Sequence, residues 1–150
     1  MQAKTLLIAS LGLMLVGGPA LADDLLMTRA DVTPLTDGNV GKPFWALQAH
    51  CAGVFGAAYT YEQAHGKTQQ AETDKAIGTA MLDRAVARLQ MDRGLDHDTA
   101  MGAAAQLVYD GRDSTKPLLD KQGVGPDSKW NYVRSACQDI DTAAQAHLSR

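Results

Sequence analysis

Residues 43–66 read PFWALQAHCAGVFGAAYTYEQAHG, and this stretch decides the fold. Phe44, Leu47, Cys51, Val54, Ala58, Tyr61 and His65 recur at alternating steps of three and four, the period of one helix face. Pro43 suits a first helical position, where its missing N–H is not needed, and Gly66 suits the left-handed stop after a last turn.

Working downstream, a second helix is expected from Thr68 to Arg93, with Ile77, Met81, Leu82, Ala85, Val86 and Leu89 as its apolar face and Gly94 as its end. Asp83, Arg84, Arg88, Asp92 and Arg93 mix both signs and read as its solvated face, with Arg88 and Asp92 spaced to pair. Asp96 or Asp98 can cap a third, shorter, Ala-rich helix that ends at Tyr109-Asp110-Gly111. Pro117 and three glycines then make 111–125 the longest irregular connection, with Leu118 and Leu119 packing as one turn within it. A last helix opens at Pro126-Asp127 and places Trp130, Val133, Cys137, Ile140, Ala144 and His147 on one stripe, with Asp139 and Asp141 off it. No alternating strand pattern and no repeat is found. The expectation is an all-α, up-down four-helix bundle over 43–150, preceded by an extended arm over 23–42 in which Leu25, Leu26 and Met27 form a short apolar clip.

Upstream of the arm, residues 1–4 carry Lys4, residues 5–16 are apolar, and Gly17-Gly18-Pro19 precedes Ala20-Leu21-Ala22. These are the three regions of a cleaved export signal, and the apolar run is too short to span a bilayer. Removing 22 of the 150 residues leaves 128, and with Lys4 gone the formal charge of −3 becomes −4. The expected location is the periplasm if the source is Gram-negative, and the secreted space otherwise. No later segment is apolar enough to span a membrane, and the acidic balance without a basic run argues against nucleic acid as a partner. The acids are fifteen Asp against two Glu, Glu62 and Glu72, which favours caps and turns at helix ends.

Cys51 and Cys137 each lie mid-stripe on the first and last helices. Two cysteines in an oxidising compartment predict one disulfide joining those helices. Two buried thiols or a redox pair are the alternatives, and the C-x-x-C spacing that redox pairs use is missing.

Antiparallel packing brings only His50, His97 and His147 toward one end as weak metal candidates, with Met91 or Met101 nearby, and no metal-ligand spacing supports them. Covalent haem attachment lacks its C-x-x-C-H, so no cofactor is expected. Serines 114, 128, 135 and 149 sit in no nucleophile context, and no enzyme signature is found. Phe44, Trp45, Phe55, Tyr59 and Tyr61 on the first helix and Trp130 and Tyr132 on the last concentrate the aromatics. Tyr59, Tyr61 and Trp130, with Leu118 and Leu119 of the connection, form the candidate binding surface, and a plug closing the bundle end is the plainer reading. The function expected is that of an exported protein-interaction or envelope-accessory module, such as an inhibitor or immunity protein. A metal or cofactor carrier using the bundle end is the alternative.

Overall fold

The computed structural model describes residues 24–32 and 36–148, so the export signal expected over residues 1–22 lies outside the described residues. Four helices carry the fold: α1 Phe44–Ala64, α2 Thr68–Arg93, α3 His97–Gln122 and α4 Trp130–Leu148. Among the described residues there is no strand, only one isolated bridge between Leu26 and Pro43.

The helix ends follow local chemistry. Gly66, Gly94 and Gly123 all take positive φ, the conformation that costs glycine least, directly after α1, α2 and α3. Asp96 caps α3 by accepting from the Thr99 amide at 2.8 Å. Ser128 does the same for α4, its Oγ accepting from the Trp130 amide at 3.1 Å.

α1 is enclosed by the other three helices. Gln63 bonds Glu72 at the start of α2, Lys75 lies over Tyr59, and Gly78 stands against Phe55 and Ala52, so α2 runs antiparallel to α1. Phe44 meets His147, Gln48 meets Asp141, Cys51 meets Cys137 and Phe55 meets Trp130, so α4 is antiparallel as well. α1 packs most heavily on α2 and α3 and more lightly on α4, while α3 barely touches α4. This central role is why α1 buries residues on every side, Gln48, Ala49, Cys51, Ala52, Gly53, Val54 and Phe55 among them.

Cys51 and Cys137 are joined, with Cα atoms 5.5 Å apart, and both are buried. The link closes 86 residues of sequence and connects α1 to α4 as the stripes require.

The third helix does not stop at Gly111. It continues for eleven residues to Gln122, through Gly111 and Pro117, so the expected 111–125 connection shrinks to the segment after Gln122. Gly111 is interior because backbone packs on backbone there. A Cβ at Gly53 would collide with the carbonyl of Val108, and one at Gly111 with that of His50. Two glycines facing each other let α1 and α3 cross at backbone contact, a tertiary gain that outweighs glycine's weak helix propensity. Pro117 falls on the exposed side, where the helix loses one backbone bond and keeps its packing.

The arm is docked. Met27 is buried, its amide donates to the Lys42 carbonyl at 2.9 Å, and the Phe44 amide donates to the Leu25 carbonyl at 2.9 Å. Asp24 takes both guanidinium bonds of Arg93, and Asp31 contacts the imidazole of His147 at 2.8 Å. Of the three clip residues only Leu26 is exposed.

Candidate functional site

Helices that touch at one point part beyond it, and α1 and α3 touch at Gly53 and Gly111. Toward their C-terminal ends they leave a groove of about 490 Å³. Its lining from α1 is Ala57, Thr60, Tyr61, Ala64 and His65, and from α3 Arg112, Asp113, Lys116, Leu119 and Asp120. Gly53 lies against Val108, and further along both helices Tyr61 lies by Gly123 just after α3, so the two helices run parallel.

Leu119 is buried in the floor and belongs to the main core. Tyr61 and His65 stack with ring centroids 4.0 Å apart, and His65 Nδ1 lies 2.7 Å from the Tyr61 carbonyl, which fixes both rings along one wall. On the opposite rim, Lys116 pairs with Asp120 at 2.5 Å and Arg112 with Asp113 at 3.1 Å. The groove thus has an apolar floor, an aromatic wall and a rim that offers both charges. This suits an apolar side chain flanked by polar groups.

The structure brings together two of the five candidate surface residues, Tyr61 and Leu119. Leu118 is half-buried and does not line the groove. Tyr59, two residues from Tyr61 along α1, faces α2, where Lys75 lies 5.4 Å over its ring. Trp130 is buried edge-on against Phe55 at 5.9 Å, closing the core in the manner of a plug. His50, His97 and His147 have separate surroundings: burial lowers the pKa of His50, His97 sits beside Asp98, and His147 contacts Asp31. Among the described residues no group of three His, Cys, Asp or Glu side chains is placed to hold a metal.

On the other side of the last turn of α1 lies a polar cleft of about 460 Å³, which the sequence reading missed. Glu62, Lys67, Gln70, Asn131 and Arg134 line it, together with Trp130. Glu62 and Asp74 beneath it are fully buried. Arg134 donates to Asp74 Oδ1 at 3.0 Å, with Gln70 Nε2 at 3.5 Å from the same atom. Burial first, and the charge of Asp74 second, push the Glu62 carboxyl up to about 7, against the pull of Arg134 and Lys67. Asp74 is raised as well, by burial, with Arg134 opposing. The sequence did hold a signal for Glu62. It follows Phe55 and Ala58 by seven and four residues, the register of the buried face, where an acid is conspicuous.

Comparison with protein-family models, with curated proteins and with solved structures finds no match to the chain.

Proposed function

We propose that the protein is an exported binding module of the inhibitor, immunity or envelope-accessory kind. In this reading it engages a partner protein through the groove between α1 and α3. The observation that carries the reading is the groove itself: an apolar floor at Leu119 and Ala57, a fixed Tyr61–His65 wall and paired charges on the rim. Rigid helices present these groups, which keeps the ordering cost of binding low. Export is supported by the three-part signal pattern over residues 1–22 and by a buried disulfide, which persists in oxidising compartments.

A photo-crosslinking residue at Lys116, on the rim, tests the groove in the producing host, with the exposed Met91 as control position. The expected result is one discrete adduct from Lys116 and none from Met91. The purified partner should then bind the chain, and Arg112→Glu with Lys116→Glu should weaken that binding at least tenfold. Equal crosslinking from both positions, or unchanged affinity in the charge-reversed variant, rejects the groove as the binding surface. Intact mass of the chain recovered from that host tests export: it should correspond to 128 residues less two hydrogen atoms, and a mass retaining residues 1–22 would contradict cleavage.

A further inference from the structure

Tyr61 and Glu62 are neighbours in the last turn of α1, yet Tyr61 walls the groove and Glu62 is enclosed under the polar cleft. The charged groups facing Glu62 are Asp74 from α2, Lys67 from the turn before α2 and Arg134 from α4. Both Glu62 oxygens and Asp74 Oδ2 have no partner when the two carboxyls are written as charged. A single proton pairs two of these three oxygens, leaving one Glu62 oxygen and the buried Arg134 Nε without a partner. A protonated Glu62 donates to Asp74, Asp74 keeps its ion pair with Arg134, and no uncompensated charge is left inside. Without that proton, two enclosed carboxylates face one guanidinium.

We propose that Glu62 and Asp74 form a proton-operated latch that holds the last turn of α1 against α2 and α4, and thereby sets the shape of the groove at Tyr61. When the Glu62 carboxyl releases its proton to solvent, the strain is relieved by turning the carboxylate outward into the polar cleft, beside Lys67. The turn through His65, Gly66 and Lys67 has to move with it, because the Lys67 and His65 amides both donate to the Glu62 carbonyl, at 2.9 and 3.1 Å. Tyr61, stacked on His65, moves too. The consequence for a partner rests on the groove being the binding surface, but the latch is measured without any partner.

The direction follows from proton linkage. The closed latch holds Glu62 protonated up to about 7, whereas in the open form the carboxyl regains its ordinary value of 4.5. Opening therefore becomes about tenfold easier per pH unit between these values and levels off above them.

Amide hydrogen exchange on the full chain, corrected for intrinsic rates, reads this directly at residues 62–71. Protection there is expected to fall about fortyfold from about pH 5 to about pH 7. The Tyr61 ring resonances should shift over the same range. Glu62→Gln, which has no proton to lose, should show constant protection, and Asp74→Asn should make the fall smaller and end it at lower pH, because the neighbouring charge that helps raise the Glu62 carboxyl is gone while Arg134 stays. Carboxyl carbon resonances of wild-type Glu62 give a check that needs no variant, and titration at the ordinary glutamate value would overturn the latch. Flat protection in the wild type, or a wild-type slope in Glu62→Gln, would overturn it as well. Exchange that opens while the Tyr61 resonances stay fixed would overturn the coupling to the groove.

Discussion

Asp141 accepts from Gln48 of α1 at 2.9 Å, from Gln145 of its own helix at 2.8 Å, and from Arg84 of α2 through two guanidinium nitrogens at 2.8 and 2.6 Å. One aspartate thus gathers three helices. In sequence it stands off the apolar stripe of α4, and Arg84 stands among charges that read as a solvated face. The structure divides that face: Asp83 is exposed, Arg84 is partly covered, and Arg88 and Asp92 pair at 2.7 Å with the Asp92 side chain only 5% exposed. Periodicity marks which residues are apolar enough to be buried, but it has no means of showing that an off-stripe acid meets an arginine from another helix. The expected preference of Asp for helix ends holds at Asp96, and Asp92 lies in the last turn of α2, whereas Asp74 and Asp141 are enclosed mid-helix partners. Asp141→Ala is expected to cost about 3 kcal/mol, since it strands Arg84 and Gln48 together. Asp83→Ala should stay within about 0.5 kcal/mol. Denaturant midpoints of the two variants check this, and equal midpoints would show that Asp141 organises nothing.

At the scale of elements, three helices were legible from their stripes, although α4 opens at Trp130 rather than at the expected Pro126-Asp127, and Thr68 is the first residue of α2 rather than its cap. The stripe over residues 43–66 became α1, the Thr68 start and Gly94 stop bound α2, and the Trp130 stripe became α4. The second half of α3 was misread because Gly111 and Pro117 break helices in isolation. Tertiary structure reverses the meaning of each. Ala100, Ala104, Gly111, Thr115 and Leu119 are all buried and continue one face at steps of four and seven, so the signal was a small-residue stripe passing through the glycine. Gly111→Ala should therefore destabilise strongly even though alanine is the better helix former, by about 3 kcal/mol as backbones are forced apart. Gly102→Ala on the same helix, where added carbon meets nothing within 4 Å, should stabilise by up to about 1 kcal/mol. Pro117→Ala restores a backbone donor on the exposed side and should stabilise as well. Thermal melts order the three variants, and a Gly111→Ala chain as stable as wild type would mean that α1 and α3 do not cross at backbone contact.

For the whole molecule, the uneven packing of the helices decides what the disulfide does. α1, α2 and α3 hold one another through extensive contact, whereas α4 has little with α1 and less with α3. Its attachment rests on a short list: the Ile140 and Ala144 stripe in the core, Trp130 against Phe55, the ion pairs of Asp141 with Arg84 and Arg134 with Asp74, and Cys51–Cys137. More than half of the chain lies within the 86-residue separation that the bridge closes, so its loss should cost up to about 4 to 5 kcal/mol on the loop-entropy model. That cost should not be shared evenly. With the bridge reduced, the weakest-held helix detaches first, because its remaining burial is smallest, and the three-helix remainder keeps the Gly53–Gly111 crossing intact. Reduction, or a Cys51→Ala, Cys137→Ala chain, is thus expected to lower the melting temperature and to raise amide exchange across Trp130–Leu148 well before α1 and α3 respond. The docked arm should loosen with α4, since Asp31 leans on His147 near the end of that helix, while Asp24 stays with Arg93 of α2. Uniform loss of protection over all four helices would show instead that α4 is an equal member of one cooperative core. An unchanged melt would show that the bridge restrains nothing that packing does not already hold.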